Sequence, residues 1–411
     1  MNDTVGSSQL QRFVGNGKSL REYPNITIID LLGIAAGVSD VMSSDGNAQL
    51  GVYINNRAAV FLGEEFTMPS LVELAIQAED AGFGFVAVGD SVLAKPRFAP
   101  IVTLAAVAAV TRRIGLTTGI LQPHLHHLVT LAQELATLDV ISAGRTSLGV
   151  GLGTGPRDLV DAELALVGLS RKTRARAFEE TISALIMLLS GGPTNFNGEV
   201  YKLTDVDAGY RPVQRPGPPI VIACGAYVPL EAGQGPNDVR NSTTIGKFTG
   251  PLERVVRLGD GWVTGMATPS EWRSMWQKMV ASANAVGRSI NTPTFERRVN
   301  CFVNVGDNQE RARQEGKAFL EAYHRLPMDD ETLDRWLISG PAEVCVERFR
   351  QFIDVGVNSF QLVLASSRQQ EQLARVAEGI LPDIHRDDGA TELSAGAART
   401  APNVMPNGGD K

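Results

Sequence analysis

The chain has 411 residues, 43% apolar and 20% charged, with a formal net charge of −7. Such an acidic composition argues against nucleic acid or an anionic membrane as the main partner, since both select basic surfaces. Three cysteines without a spacing motif (Cys224, Cys301, Cys345) argue against a disulfide framework or a zinc site and point to a reducing, cytoplasmic setting.

Residues 1–48 show no clear period and read as an N-terminal extension. Their polar start, MNDTVGSSQL, lacks the basic region of a signal peptide, and ITIIDLLGIAAGV is too short to span a bilayer. From residue 49 short β-branched runs alternate with helical patterns. LGVYIN (50–55) predicts a strand, SLVELAIQAEDAGF (70–83) an amphipathic helix, and GFVAVGD (84–90) a second strand. APIVTLAAVAAVTRR (99–113) predicts a buried helix, IGLTTGIL (114–121) the third strand, HLVTLAQELATLDVIS (127–142) a helix, and RTSLGVGLG (145–153) the fourth strand. A helix over 173–191 and a small Asn-Gly hairpin over 196–203 follow. PPIVIACG (218–225) is the fifth strand, GPLERVVRLGDG (250–261) a helix and WVTGM (262–266) the sixth strand. The helix over 269–287 has Pro at its start and Gly at its end. FERRVNCFVNVG (295–306) and NSFQLVLA (358–365) are strands seven and eight, with helices over 342–357 and 367–381.

Alternating strand–helix units imply a parallel sheet with right-handed crossovers, and eight of them favour a closed barrel. The expected fold is therefore α/β: a (β/α)8 TIM barrel over 49–382, with an insertion after strand five at 227–249. Residues 383–411 are too poor in apolar side chains to offset their chain entropy and read as a disordered tail.

The fourth strand carries Gly149, Gly151, Gly153 and Gly155 on alternate positions, with Pro156 next. A dinucleotide fingerprint needs G-x-G-x-x-G opening a helix, so that reading fails. In a barrel strand, Leu148, Val150 and Leu152 face the helices, while Ser147, Gly149, Gly151 and Gly153 face inward. Such a wall either accepts a flat ligand or packs against large neighbours.

The order of motifs resembles the bacterial luciferase-like flavin-dependent monooxygenase family and its deazaflavin-dependent relatives. The matching stretches are AIQAEDAGFGFVAVGDS (75–91), the long run TRRIG…GVGLG (111–153), TRARAFEE (173–180), PGPPIVIACG (216–225) and LGDGW (258–262). The resemblance implies a reduced flavin at the carboxyl ends of the strands, as barrel active sites require. It implies a non-prolyl cis bond or bulge at Gly119-Ile120-Leu121 under the flavin ring. It places Arg174 as a phosphate ligand, helped by Thr154, Gly155 and the small-residue turn at Gly225-Ala226. Where relatives carry an acidic residue followed by a proton-handling His, this chain has Asp90 and Ser91. The activity implied is insertion of one oxygen atom from O2 into a small organic substrate by reduced FMN supplied by a flavin reductase. Deazaflavin-dependent hydride transfer and a non-catalytic flavin-binding barrel are the alternatives. Oligomeric state stays open, a homo-oligomer included.

Other polar residues follow the strand ends. His124, His126 and His127 follow strand three. H-x-H on a barrel suggests metal chemistry, but only His324 and His385 remain as further ligands, so no metal site is expected. One of the three, His124 as the catalytic candidate, is expected to face the pocket and another to cap the next helix. Asn55, Asn56, Arg57 and Arg97 are candidates to line a substrate pocket, Arg97 suiting an anionic group, but solvated loop polarity is the preferred reading for all four.

Overall fold

The computed structural model describes residues 48–61, 66–225 and 249–384. The expected N-terminal extension up to residue 47, Ala226, the insertion up to residue 248 and the tail from residue 385 lie outside the described residues.

The strands, in chain order, are β1 (Gln49–Ile54), β2 (Phe85–Val88), β3 (Gly115–Leu121), β4 (Thr146–Val150), the hairpin strands β5 (Thr194–Asn197) and β6 (Lys202–Val206), β7 (Ile220–Ala223), β8 (Gly261–Gly265), β9 (Glu296–Val305), β10 (Leu337–Gly340) and β11 (Ser359–Leu364). The parallel sheet runs β10-β9-β11-β1-β2-β3-β4-β7-β8, and pairing of β8 with β9 closes it. Eight strands thus form the expected barrel. The sequence reading missed β10. This four-residue strand extends the edge of β9 beyond β8: β8 pairs with Glu296–Asn300, and β10 with Phe302–Val305.

The longer helices are α1 (Met68–Asp80), α2 (Pro100–Val110), α3 (Leu128–Ile141), α4 (Arg157–Leu166), α5 (Arg174–Ser190), α6 (Thr249–Leu258), α7 (Pro269–Ala285), α8 (Gln309–His324), α9 (Asp330–Trp336), α10 (Ala342–Ile353) and α11 (Gln369–Gly379). Helix α1 buries Leu71, Leu74, Ala75 and Ala78, a single stripe at helical spacing, and Thr67 caps it by accepting from Ser70 N. A capping box between Thr268 and Glu271 starts α7. Helices α4, α8 and α9 were also missed. In α8 the first half of the buried face is Ala312 and Gly316, which give little apolar contrast. Gly316 is needed there because a Cβ would come within 2.7 Å of Leu337 Cδ2.

The barrel interior divides into two levels. Toward the amino ends of the strands, Arg298 is 2% exposed and lies 4.4 Å above the Phe85 ring. It pairs with Glu296 at 2.7 Å, and Ser359 Oγ donates to the same carboxylate at 2.8 Å. One layer further on come Asn300 and Gln361, bonded to each other at 3.0 Å, and above them the interior opens into a cavity.

Candidate active site

The cavity, about 440 Å³, lies at the carboxyl rim. Gly119, Ile120, Gly153, Thr154, Arg174 and Gly225 line it, so the structure brings together six of the residues expected at a cofactor site. The Gly119–Ile120 bond is cis, and the β3–β4 register shifts between Gly119 and Leu121, as the resemblance implied. Leu121 itself is buried in the core.

The glycine row is not bare. A Cβ on Gly149 would lie 2.1 Å from the Thr118 carbonyl oxygen, and one on Gly151 would lie 2.4 Å from Ile120 Cδ1. Ile120, rather than the Gly151 backbone, therefore presents its surface to the cavity. The fourth strand also ends earlier than expected, at Val150. Gly153 takes φ +74°, and Leu152 turns from its expected place among the helices to the cavity wall. Gly155 sits against Ala94 and does not line the cavity.

Asp90 and Ser91 lie off the cavity wall and organise loops. The Asp90 carboxylate accepts from Gln122 N (3.1 Å) and meets His126 Nε2 at 2.9 Å. Burial opposes protonation of His126, but the Asp90 hydrogen bond and charge outweigh it and raise its pKa. Ser91 Oγ donates to Glu163 Oε1 at 3.0 Å and accepts from Lys95 N at 2.8 Å. The same Glu163 oxygen accepts from Val92 N and Leu93 N, so one buried carboxylate of α4 fixes the loop after β2. His124 is 2% exposed, edge-on to Phe178 with centroids 6.0 Å apart, and neither ring nitrogen has a partner. Burial, then the nearby Arg174, push its pKa down to about 4. His127 caps α3 by accepting from Thr130 N. Asn55 and Asn56 are wholly buried and not solvated: Asn56 Nδ2 donates to Gly89 O and Phe98 O, which ties the β1 loop to the β2 loop.

Arg174 opens α5 on the cavity wall, and its guanidinium has no hydrogen bond or ion pair among the described residues. Its neighbour Arg254 is held by Glu179 at 3.0 Å. Cys224 also lines the cavity; burial pushes its thiol up to about 12, which keeps it protonated and inert.

Sequence reasoning missed much of the opposite wall. Tyr53 is an inward residue of β1, Met266 follows β8, and Tyr323 and His324 end α8 beside Trp336. The His324 ring stacks on Trp336 with centroids 4.5 Å apart. Burial, then Lys95, Arg57 and Arg97, hold its pKa well below the ordinary value. The inward alternation of β1 would have found Tyr53; nothing about a helix end marks His324. Among the lining residues Arg97, Arg174 and Arg254 carry positive charge and Lys95 adds an amine, and none carries a carboxylate.

Among the described residues, a closed parallel barrel with a cationic cavity at its carboxyl rim defines a (β/α)8 fold with a candidate site where such barrels carry theirs. Residues 48–229 match the family model described as luciferase-like monooxygenase. It is 27% identical over 350 residues to the F420-dependent glucose-6-phosphate dehydrogenase of Nakamurella multipartita, covering 78% of this chain and 94% of the relative. An uncharacterised Mycobacterium tuberculosis protein is 33% identical over 180 residues, covering 43% of this chain and 54% of the relative. Among solved structures, a monooxygenase from Streptomyces bottropensis superposes with a TM-score of 0.65 at 21% identity, covering 81% of this chain and 99% of the other. An F420-dependent secondary alcohol dehydrogenase gives 0.63 at 19%, covering 83% and 100%. These two likenesses establish the fold alone.

Proposed function

We propose that the cavity binds a flavin-type coenzyme and that the chain transfers hydride between a deazaflavin of the F420 type and a small organic substrate. The observation that carries the coenzyme site is the unpartnered Arg174 fork on a wall without carboxylates, which suits a phosphate. Thr154 Oγ1 and the backbone N–H groups of Gly153 and Gly225 are further donors there. Ile120, Leu152, Ala223 and Val263 form the apolar surface on which a planar ring would lie. The coenzyme supplies the redox chemistry; the protein holds the ring, neutralises its phosphate and excludes water. The full-length F420-dependent dehydrogenase relatives favour the deazaflavin over FMN.

Ser91, in the place of the expected His, is engaged with Glu163 and moves no proton at the ring. The family model's description favours a second reading, a reduced-FMN monooxygenase. Titration with FMN and with F420, followed by fluorescence, tests both. The first reading expects F420 to bind more tightly and its reduced form to persist in air. Oxygen uptake with reduced FMN would establish the second instead, and binding of neither coenzyme would remove both.

A further inference from the structure

The positive charge of the cavity sits at two poles. The charges acting on Arg174 are Arg171, Asp161 and Arg254. Those acting on Lys95 are Arg97 and Arg57. The second pole is assembled on the loop after β2, which Glu163 fixes in place.

At this pole Arg97 Nη1 donates to the phenol oxygens of both Tyr53 and Tyr323, the latter at 3.0 Å. Two neutral rings therefore orient the guanidinium without cancelling its charge. Arg97 Nε is buried and has no partner, and Nη2 makes no hydrogen bond among the described residues. These two atoms form the side-on edge of the fork, the edge that grips an oxyanion through two parallel bonds. Lys95 Nζ donates to Thr154 Oγ1 at 3.1 Å, and neither Lys95 nor Arg97 has an ion pair among the described residues. Burial, then Arg97 and Arg57, push the Lys95 ammonium down to about 7. Beside the cations stand Phe302, His324 and Trp336, an aromatic wall with a buried, unpartnered His324 Nε2.

We propose that Arg97 and Lys95, oriented by Tyr53, Tyr323 and Thr154, form a subsite for an oxyanion of the substrate, whose flat apolar body lies against Phe302, His324 and Trp336. The substrate class is thus a small organic anion bearing a carboxylate or phosphate monoester. This deepens the coenzyme-site reading above and rests on it, since the coenzyme phosphate is assigned to the Arg174 pole.

Calorimetric titration with benzoate, phenyl phosphate and neutral benzamide tests the subsite and separates carboxylate from phosphate. FMN and F420 are titrated into the same preparations. The wild-type protein is expected to bind at least one of the two anions at least tenfold more tightly than benzamide. Arg97→Gln and, independently, Lys95→Met should each weaken that anion at least tenfold with unchanged circular dichroism, and Arg97→Gln should leave coenzyme affinity within twofold. No preference for the anions over benzamide, alongside normal coenzyme binding, overturns the subsite and leaves the coenzyme reading intact. Equal loss of anion and coenzyme in Arg97→Gln also overturns it, by placing the coenzyme phosphate at this pole. Anion preference in a protein that binds neither coenzyme upholds the subsite and defeats the coenzyme reading.

Discussion

Two histidines two residues apart respond oppositely to acid. His124, buried without partners, has its pKa pushed down from 6.5 to about 4. Its contribution to stability is therefore present above pH 6.5 and is lost as the pH falls toward 4, because the unfolded chain takes up the proton first. His126 has a raised pKa, so its contribution is complete below the ordinary value of 6.5 and fades as the pH rises through the folded value. In a histidine NMR titration, Asp90→Asn is expected to lower the His126 midpoint, which loses both a hydrogen bond and a charge, and to lower that of His124, which loses the charge alone; an unmoved His126 would mean that the 2.9 Å contact carries no charge interaction. Arg174→Ala should weaken coenzyme binding by about 1.5–3 kcal/mol, the range of a hydrogen bond to a charged group, measured by fluorescence titration. Unchanged affinity would take Arg174 out of the site.

At the scale of elements, the turn after β4 concentrates the conformational demands. Gly153 has φ +74°, and a Cβ there would lie 1.8 Å from Gln122 Oε1. Gln122 Nε2 in turn holds the Asp90 carbonyl at 3.2 Å. Gly153→Ala is expected to cost about 1 to 3 kcal/mol in denaturant melts, the usual range for a strained backbone position. Loss of coenzyme binding should accompany it; a fully stable variant would show that the turn relaxes freely. The strand ends were legible in sequence because each β-branched run stops at a glycine or a turn; strand alternation pointed to Gly153, and the resemblance assigned Gly119, Ile120, Thr154 and Gly225 to the site. The resemblance also singled out Asp90 and Ser91, which follow a strand yet point into loop contacts with His126 and Glu163. The other half of the wall comes from helices. Tyr323 and His324 close α8, Arg254 lies on α6 and Met275 on α7, and their arrival at the cavity depends on packing across the barrel that no local pattern encodes.

For the molecule as a whole, the charged layer beneath the cavity is the main test of how the barrel is held. Removing one partner of a buried ion pair leaves the other uncompensated. Arg298→Met should therefore destabilise the protein by about 3–5 kcal/mol in denaturant titration, and adding Glu296→Gln should recover part of the loss. A loss within the range of a surface pair, about 0–1 kcal/mol, would mean that water reaches Glu296. That same layer has a kinetic corollary. With Arg298, Phe85 and Glu296 filling the strands' amino-terminal half, the described residues leave the vessel open only at its carboxyl rim. Two guests that share one doorway must queue, so whichever sits deeper enters first and departs last, and steady-state inhibition patterns should follow an ordered rather than a random sequence.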